Sequence, residues 1–511
     1  VTVNPWGMFS VPGTYVTEDT YGKVPAALAD HSLMYMLMFS NKAGAPVDEL
    51  TFISSLADFD NTFGPGYSRP SVQLFFAQFP ESGFYCVNVP SRASRSVSVT
   101  LGAVGSVYSL TIDGYVVSYT SVVGDTAPMV LSALADKVNS TATHLASMVS
   151  GNLRLVDSDT VVSSSGNVTL GAVVPAATYP VAQDVVDSAT KVLVSDLRQG
   201  FIVAPEFYLE ITDMAQRALL ANSLDALCAR DGHKWVNVVD CGEEVATATT
   251  GAGALNLALK ERAMLQSPAG HSWYFFPHWV NGDNVNVPMS TSVVAVAIKR
   301  YRVNFADPPA GTSFPVYGVT SQTFRVRNEH QGILNPVGVN CGRIFDEATI
   351  SPRKGACIYG CRTLSTSGFW KFGTTRVIAN VLEGTLRYAF DTFIFQSVDG
   401  EGEAFNRIMQ TAVSICERMR LSRAFYGKTP DEAYFVVCDE RNNPLIDLEA
   451  GRVNVDVYFK PAPMLEILII RVHRTSLDTV ITEAFSQANS GTSTEGKAAT
   501  APTEAASSSG S

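Results

Sequence analysis

Helix-like and strand-like runs alternate along this chain until about residue 90, stop, and start again near residue 190. Between about Ser91 and Val185 the composition shifts to Val, Ser, Thr and Gly. SVSVTLGAVGSVYSLTIDGYVVSYTSV and GNVTLGAVV alternate as strands do, broken by one helix-like stretch, APMVLSALADKVNS. Asp113-Gly114 lies between two β-prone runs, the signature of a tight hairpin whose turn residues need positive φ. Before this region come LMYMLMFS, VQLFFAQF and GFYCVNV. After it, helix-like ITDMAQRALLANSLDALCARDGH and ALNLALKERAMLQ alternate with strand-like WVNVVD and SWYFFPHWV. That alternation belongs to a layered α/β domain. Residues 26–90 and 186–320 are therefore expected to form one split α/β domain, with residues 91–185 inserted as a mainly β outer domain.

Residues 1–25 read as an extended arm: Pro5, Gly7, Pro12, Gly13 and Gly22 exclude a helix, while Thr14, Tyr15 and Val16 favour strand. The last third, residues 331–473, is expected to form a C-terminal α/β domain. It has strands around GACIYGCRTL and TTRVIANVL, a long helix over EAFNRIMQTAVSICERMRLSRAF, and strand-like AYFVVC, RVNVDVYF and LEILIIRV. Residues 474–511 form a C-terminal extension whose end, from about residue 486, carries almost no large apolar side chain and cannot offset its own ordering entropy. The expected fold class is multidomain α/β (α+β).

At 511 residues, several buried cores are possible. Charged residues are only 17%, below the roughly 25% of an ordinary globular domain, which suits a subunit whose surface is covered in an assembly. A net charge of -11 argues against direct nucleic-acid binding, which needs clustered Lys and Arg. The longest apolar run, LEILIIRV, is strand-sized, and VTVNPWGMFSVPGTYV lacks the basic start and apolar segment of a signal peptide, so synthesis and residence in a cytoplasm are expected. The eight cysteines are scattered without a CxxC pair, as expected of reduced, buried thiols.

No catalytic or metal constellation stands out. On a strand, Cys357 and Cys361 of CIYGCRTLS would share a face about 13 Å apart at roughly 3.3 Å per residue, too far to share an ion. SRAFYGKT, Ser422 to Thr429, nearly matches a phosphate-binding loop but has Ser422 in place of the first glycine and follows a helix instead of a strand. His271 and His278 bracket HSWYFFPH without the HExxH spacing and read as partly buried aromatic-belt residues. No cofactor, metal or enzymatic activity is expected.

Positive evidence for a structural role comes from segment order. VPGTYVTED is followed by WYFFPHWV with VNVPMSTSVVAVAIKRY, then GILNPVGVN, CIYGCRTLS, WKFGTTRVIANVLEGTL, the long helix, TPDEAYFVVCDERNN and GRVNVDVYFKPAPMLEILIIRV. This order resembles the tail sheath protein family of contractile phages and related contractile injection systems. In CIYGCRTLS, Cys361 stands where alanine is usual and Tyr359 where an aromatic is usual, and Gly360, Arg362 and Thr363 are family-like. The resemblance covers residues 1–25 and about 270–473 well, the α/β half moderately, and residues 91–185 hardly at all.

The resemblance implies a homopolymer of six-subunit rings stacked helically around an inner tail tube, with baseplate and tail terminator proteins as further partners. Assembled in the cytoplasm of the producing cell as part of a virion tail or injection device, it would contract to drive the tube through a target envelope. In the family, terminal arms complete a β-sheet across subunits, and a Gly/Pro-punctuated arm suits strand addition. Val11, Tyr15, Val16 and Thr17, with Leu465, Ile467, Ile469 and Arg471, are the expected intersubunit strand residues. Arg418, Arg420, Arg423 and Lys428, at the basic end of the long helix, are expected to face the inner tube. The alternatives are another phage structural protein, such as a baseplate or capsid component, or a hydrolase assembled from distant residues.

Overall fold

The run MYMLM sends alternate side chains into two different cores: Met34, Met36 and Met38 into one, Tyr35 and Leu37 into the other. A strand buried on both faces reads as a continuous apolar run, as parallel sheets covered by helices require. The computed structural model describes residues 28–112, 114–140, 145–149, 151–156, 163–164, 167–230, 234–248, 250–346, 354–470, 472 and 474. Residues up to Met464 belong to one unit, and residues from Leu465 onward to a second, described by itself.

The first unit is organised by a nine-stranded sheet of β1 (Met34–Met38), β2 (Thr51–Ile53), β3 (Phe84–Asn88), β4 (Phe201–Val203), β5 (Val236–Asp240), β6 (Ser272–Phe276), β7 (Pro315–Val316), β8 (Val339–Phe345) and β9 (Gly355–Ile358). Its spatial order is β7-β9-β8-β6-β5-β4-β1-β3-β2. The strands from β8 to β3 in that order are parallel, and β2, β9 and β7 pair antiparallel at the edges. Helices α1 (Arg69–Gln78), α2 (Ala182–Val192), α3 (Met214–Cys228), α4 (Gly251–Met264), α5 (Ser290–Tyr301), α6 (Gly373–Phe390) and α7 (Glu403–Leu421) follow in chain order. One core joins α1, α5, α6 and α7 to Phe201, Val238 and Trp273; the other joins α2, α3 and α4 to Ile202, Val239 and Tyr274. Among the described residues no helix is long and apolar enough to cross a membrane.

Two sequence expectations need correction. TTRVIANVL is not a strand but the first half of α6, where Val377, Ile378, Val381 and Leu382 fall on one buried helical stripe. Its β-branched residues favour strand locally, and packing against the sheet overrides them. The expected boundary between residues 186–320 and 331–473 also falls inside one sheet, because β8 pairs parallel with β6. The core strands of the two expected domains are therefore continuous.

The inserted region has its own core. A four-stranded sheet (Val168–Val174, Ser94–Val99, Asn152–Val156, Leu145–Val149) and a three-stranded sheet (Tyr115–Thr120, Val107–Ile112, Ser163–Ser164) accompany the helix Ala127–Asn139. Val97, Leu110, Leu131, Leu134 and Leu153 are among the side chains buried there. Ile112 pairs with Tyr115 across the hairpin turn, and Gly114 has the positive φ of +84° that such a turn needs. Arg154 ties this region to the main sheet: its guanidinium reaches Asp184 at 2.6 Å and also Asp187, both on α2.

Candidate assembly surface

After β9 the chain makes a turn built around Asn340 of β8. The Asn340 amide donates to the Arg362 carbonyl at 2.7 Å and accepts from the Arg362 backbone N–H at 2.7 Å. A side chain thus replaces a neighbouring strand and satisfies two buried backbone groups. Gly360 is required beside it, because a Cβ there would lie 2.9 Å from Asn340 Oδ1. The Arg362 guanidinium bonds the Asn335 carbonyl at 2.8 Å and the Thr363 hydroxyl bonds the Trp370 carbonyl at 2.5 Å. The family-like positions Gly360, Arg362 and Thr363 therefore shape one turn. All eight cysteines are buried, Cys357 and Cys361 among them. Among the described residues no group of three or more His, Cys, Asp or Glu is placed to hold a metal.

His271 and His278 are both buried and engaged in structure. His271 Nδ1 bonds the Trp235 carbonyl at 2.9 Å, and burial pushes this ring down to about 4. His278 Nε2 bonds the Cys241 carbonyl at 2.8 Å while Nδ1 faces Glu243 at 3.2 Å.

Beyond α6, α7 buries Phe405, Ile408, Ala412, Ile415, Cys416 and Met419 along one stripe. Against it lies an antiparallel ribbon of β10 (Tyr434–Val437) and β11 (Asp456–Phe459), a sheet of two strands. Val436 is buried and Tyr434, Val457 and Phe459 pack on the same core, so Phe435 and Tyr458 face outward. Those two are paired across the strands, with ring centroids 6.3 Å apart, and are 56% and 61% exposed. A two-stranded ribbon is marginal alone and offers open edges for a further strand. Sequence reasoning placed both strands but missed this outward aromatic pair, whose signal is the alternation in YFVV and DVYF.

In the second unit, Leu465, Ile467, Leu468, Ile469 and Ile470 are each at least 69% exposed. Val11, Tyr15, Val16, Thr17 and Arg471 lie outside the described residues.

The four basic residues at the end of α7 do not form one face. Arg418 and Arg420 are about 200° apart around the helix at 100° per residue. Arg420 makes a two-point contact with Glu417 at 2.9 and 2.5 Å, and Glu417 also accepts from the Tyr434 hydroxyl at 3.2 Å. These bonds, the Arg420 one foremost, hold the Glu417 carboxyl below its ordinary range. Arg420 also reaches the Lys428 carbonyl at 3.2 Å, while Arg423 follows the helix with a left-handed φ of 64° and is exposed, as is Lys428.

No family model matches the sequence, and no curated protein matches it. Solved structures do share its fold. A chain of the anti-feeding prophage baseplate in its contracted state is 14% identical, covers 91% of this chain and 99% of its own length, and superposes with a TM-score of 0.56. A chain of the PVC sheath complex of an extracellular contractile injection system, contracted, is 15% identical, covers 91% and 98%, and gives 0.55. A chain of the six-fold symmetrised anti-feeding prophage baseplate is 15% identical, covers 92% and 100%, and gives 0.54.

Proposed function

We propose that this chain is the structural subunit of a contractile tail sheath. It polymerises as stacked six-subunit rings around an inner tube, contracts to drive that tube through a target envelope, and carries out no catalysis. The observation that carries this reading is the two-stranded ribbon of β10 and β11, with its outward Phe435 and Tyr458, in a chain that also holds an exposed apolar run at Leu465–Ile470. Strand addition between copies would join edge to run by main-chain hydrogen bonds. The fold likeness to a sheath complex over nearly the whole chain supports the same reading. Partners then include the inner tube protein, baseplate and tail terminator proteins, and other copies of the chain, in a virion tail or a related injection device.

The test replaces Phe435 and Tyr458 with Ser together. Both are exposed, so the unfolding midpoint should stay within about 0.5 kcal/mol of the parent while polymer formation, read by sedimentation, is lost. Unchanged polymerisation would remove the ribbon from the interface. A second reading, a baseplate subunit of the same fold, is favoured by the likeness to two baseplate chains. It predicts small closed rings without extended tubes.

A further inference from the structure

The turn after β9 forms one wall of a cavity of about 540 Å³, whose other walls are the C-terminal end of α4, residues 336–338 ahead of β8, and the loop 365–371. Arg262, Arg362 and Lys371 line it, and among the described residues lining it there is no Asp or Glu. Such a gathering of cations stands out in a chain of net charge -11. The Arg262 guanidinium is held by three carbonyls: Nε donates to Val337 at 2.7 Å, Nη1 to Leu265 at 2.9 Å and Nη2 to Leu364 at 2.7 Å. Carbonyls fix its orientation but leave its charge without a counterion, and burial pushes this guanidinium below its ordinary value. Two of its five N–H donors have no acceptor among the described residues. Glu261, next to it in sequence, is taken up by Arg217, the Gly242 N–H and the Tyr274 hydroxyl.

Arg362 grips the same short segment as Arg262, bonding the Asn335 carbonyl two residues before Val337. Lys371 is exposed, and its ammonium lies 5.4 Å from the centre of the Phe372 ring. Like charges gathered in one cavity repel, and an anion placed among them removes that cost. Ser367 Oγ accepts from the Phe369 N–H at 3.3 Å, which leaves its O–H to donate into the cavity it lines. Leu259, Pro336 and Val337 supply an apolar wall, and the volume exceeds what an inorganic ion alone would fill.

We propose that this cavity binds a small phosphate monoester. Its head, close to a dianion at neutral pH, would take the two spare Arg262 donors, the Lys371 ammonium and the Ser367 hydroxyl, with Arg362 adding positive charge beside them. Its organic body would lie against Leu259, Pro336 and Val337. The occupant would tie together α4, the turn after β9 and the loop beyond it. The site is complete within one copy and does not depend on polymerisation.

The experiment titrates the purified full chain with phenyl phosphate, inorganic phosphate and phenol, read by isothermal calorimetry. One saturable site is expected for both phosphates, about tenfold tighter for the ester, and none for phenol. Lys371→Met should weaken both phosphates about tenfold, the loss of one charge-assisted contact. In the parent chain, phenyl phosphate at about ten times its Kd should slow acetylation of Lys371 about tenfold and leave the exposed Lys428 unchanged, a readout that needs no variant to fold. No saturable binding up to about 10 mM, or binding that neither shields Lys371 nor responds to its replacement, would overturn the site. Equal affinities for the ester and the inorganic ion would overturn the assignment of an organic body.

Discussion

Asn340 is fully buried, and its amide hydrogen-bonds the Arg362 main chain in both directions. Asn340→Leu keeps the volume and leaves those two polar groups without that partner, so a loss of about 2–4 kcal/mol is expected in a denaturant titration. A loss below about 0.5 kcal/mol would show that the turn is held by other contacts. Glu206 gives a prediction with a sign. Its carboxylate accepts from the Phe39 backbone N–H, the Ser68 hydroxyl and the Tyr179 hydroxyl, and burial pushes it up from 4.5 to about 7. A raised carboxyl contributes stability that is whole below its ordinary value and is lost as pH rises through the folded one. Relative to Glu206→Gln, which does not titrate, the parent should therefore weaken by up to about 3 kcal/mol between pH 4.5 and pH 8. Unfolding midpoints of the two proteins that run parallel across that range would rule this out.

Among elements, the seam between the inserted region and the main sheet depends on Arg154, whose two partners, Asp184 and Asp187, are almost completely buried. Arg154→Ala leaves two buried carboxylates without their cation, and a loss of about 3–5 kcal/mol is expected. It should appear first as protease cutting in residues 175–181, between the last inserted strand and α2. Cutting patterns that match the parent would show that the seam is held elsewhere. The element scale is also where sequence reading both succeeded and failed. GFYCVNV, VNVVD and SWYFF were legible as strands because buried strands are dense apolar runs, LMYMLMFS was legible only as an apolar run, and Asp113-Gly114 announced its hairpin. TTRVIANVL was misread because local β preference and helical burial point in opposite directions there. The joining of β8 to β6 was invisible because nothing local in VNCGRIF specifies a partner more than sixty residues upstream. At the candidate surface the strands of the ribbon were legible, and the basic end of α7 was visible only as composition. That Arg420 is paired with Glu417 depends on side-chain geometry no spacing rule supplies.

For the molecule as a whole, one layered sheet carries an inserted region on one connection and leaves an unfinished ribbon and an open apolar run toward its C-terminal end. A low charge content is what a chain needs if much of its surface is to be covered by copies of itself. Contraction of such a polymer would move subunits as rigid bodies while strand-added arms keep them linked. The most direct measurement is negative-stain electron microscopy of the purified full chain at increasing concentration, alone and with the inner tube protein as template. Long, hollow, cross-striated tubes are expected in at least one of the two conditions. Compact monomers in both, at every concentration, would overturn the sheath assignment.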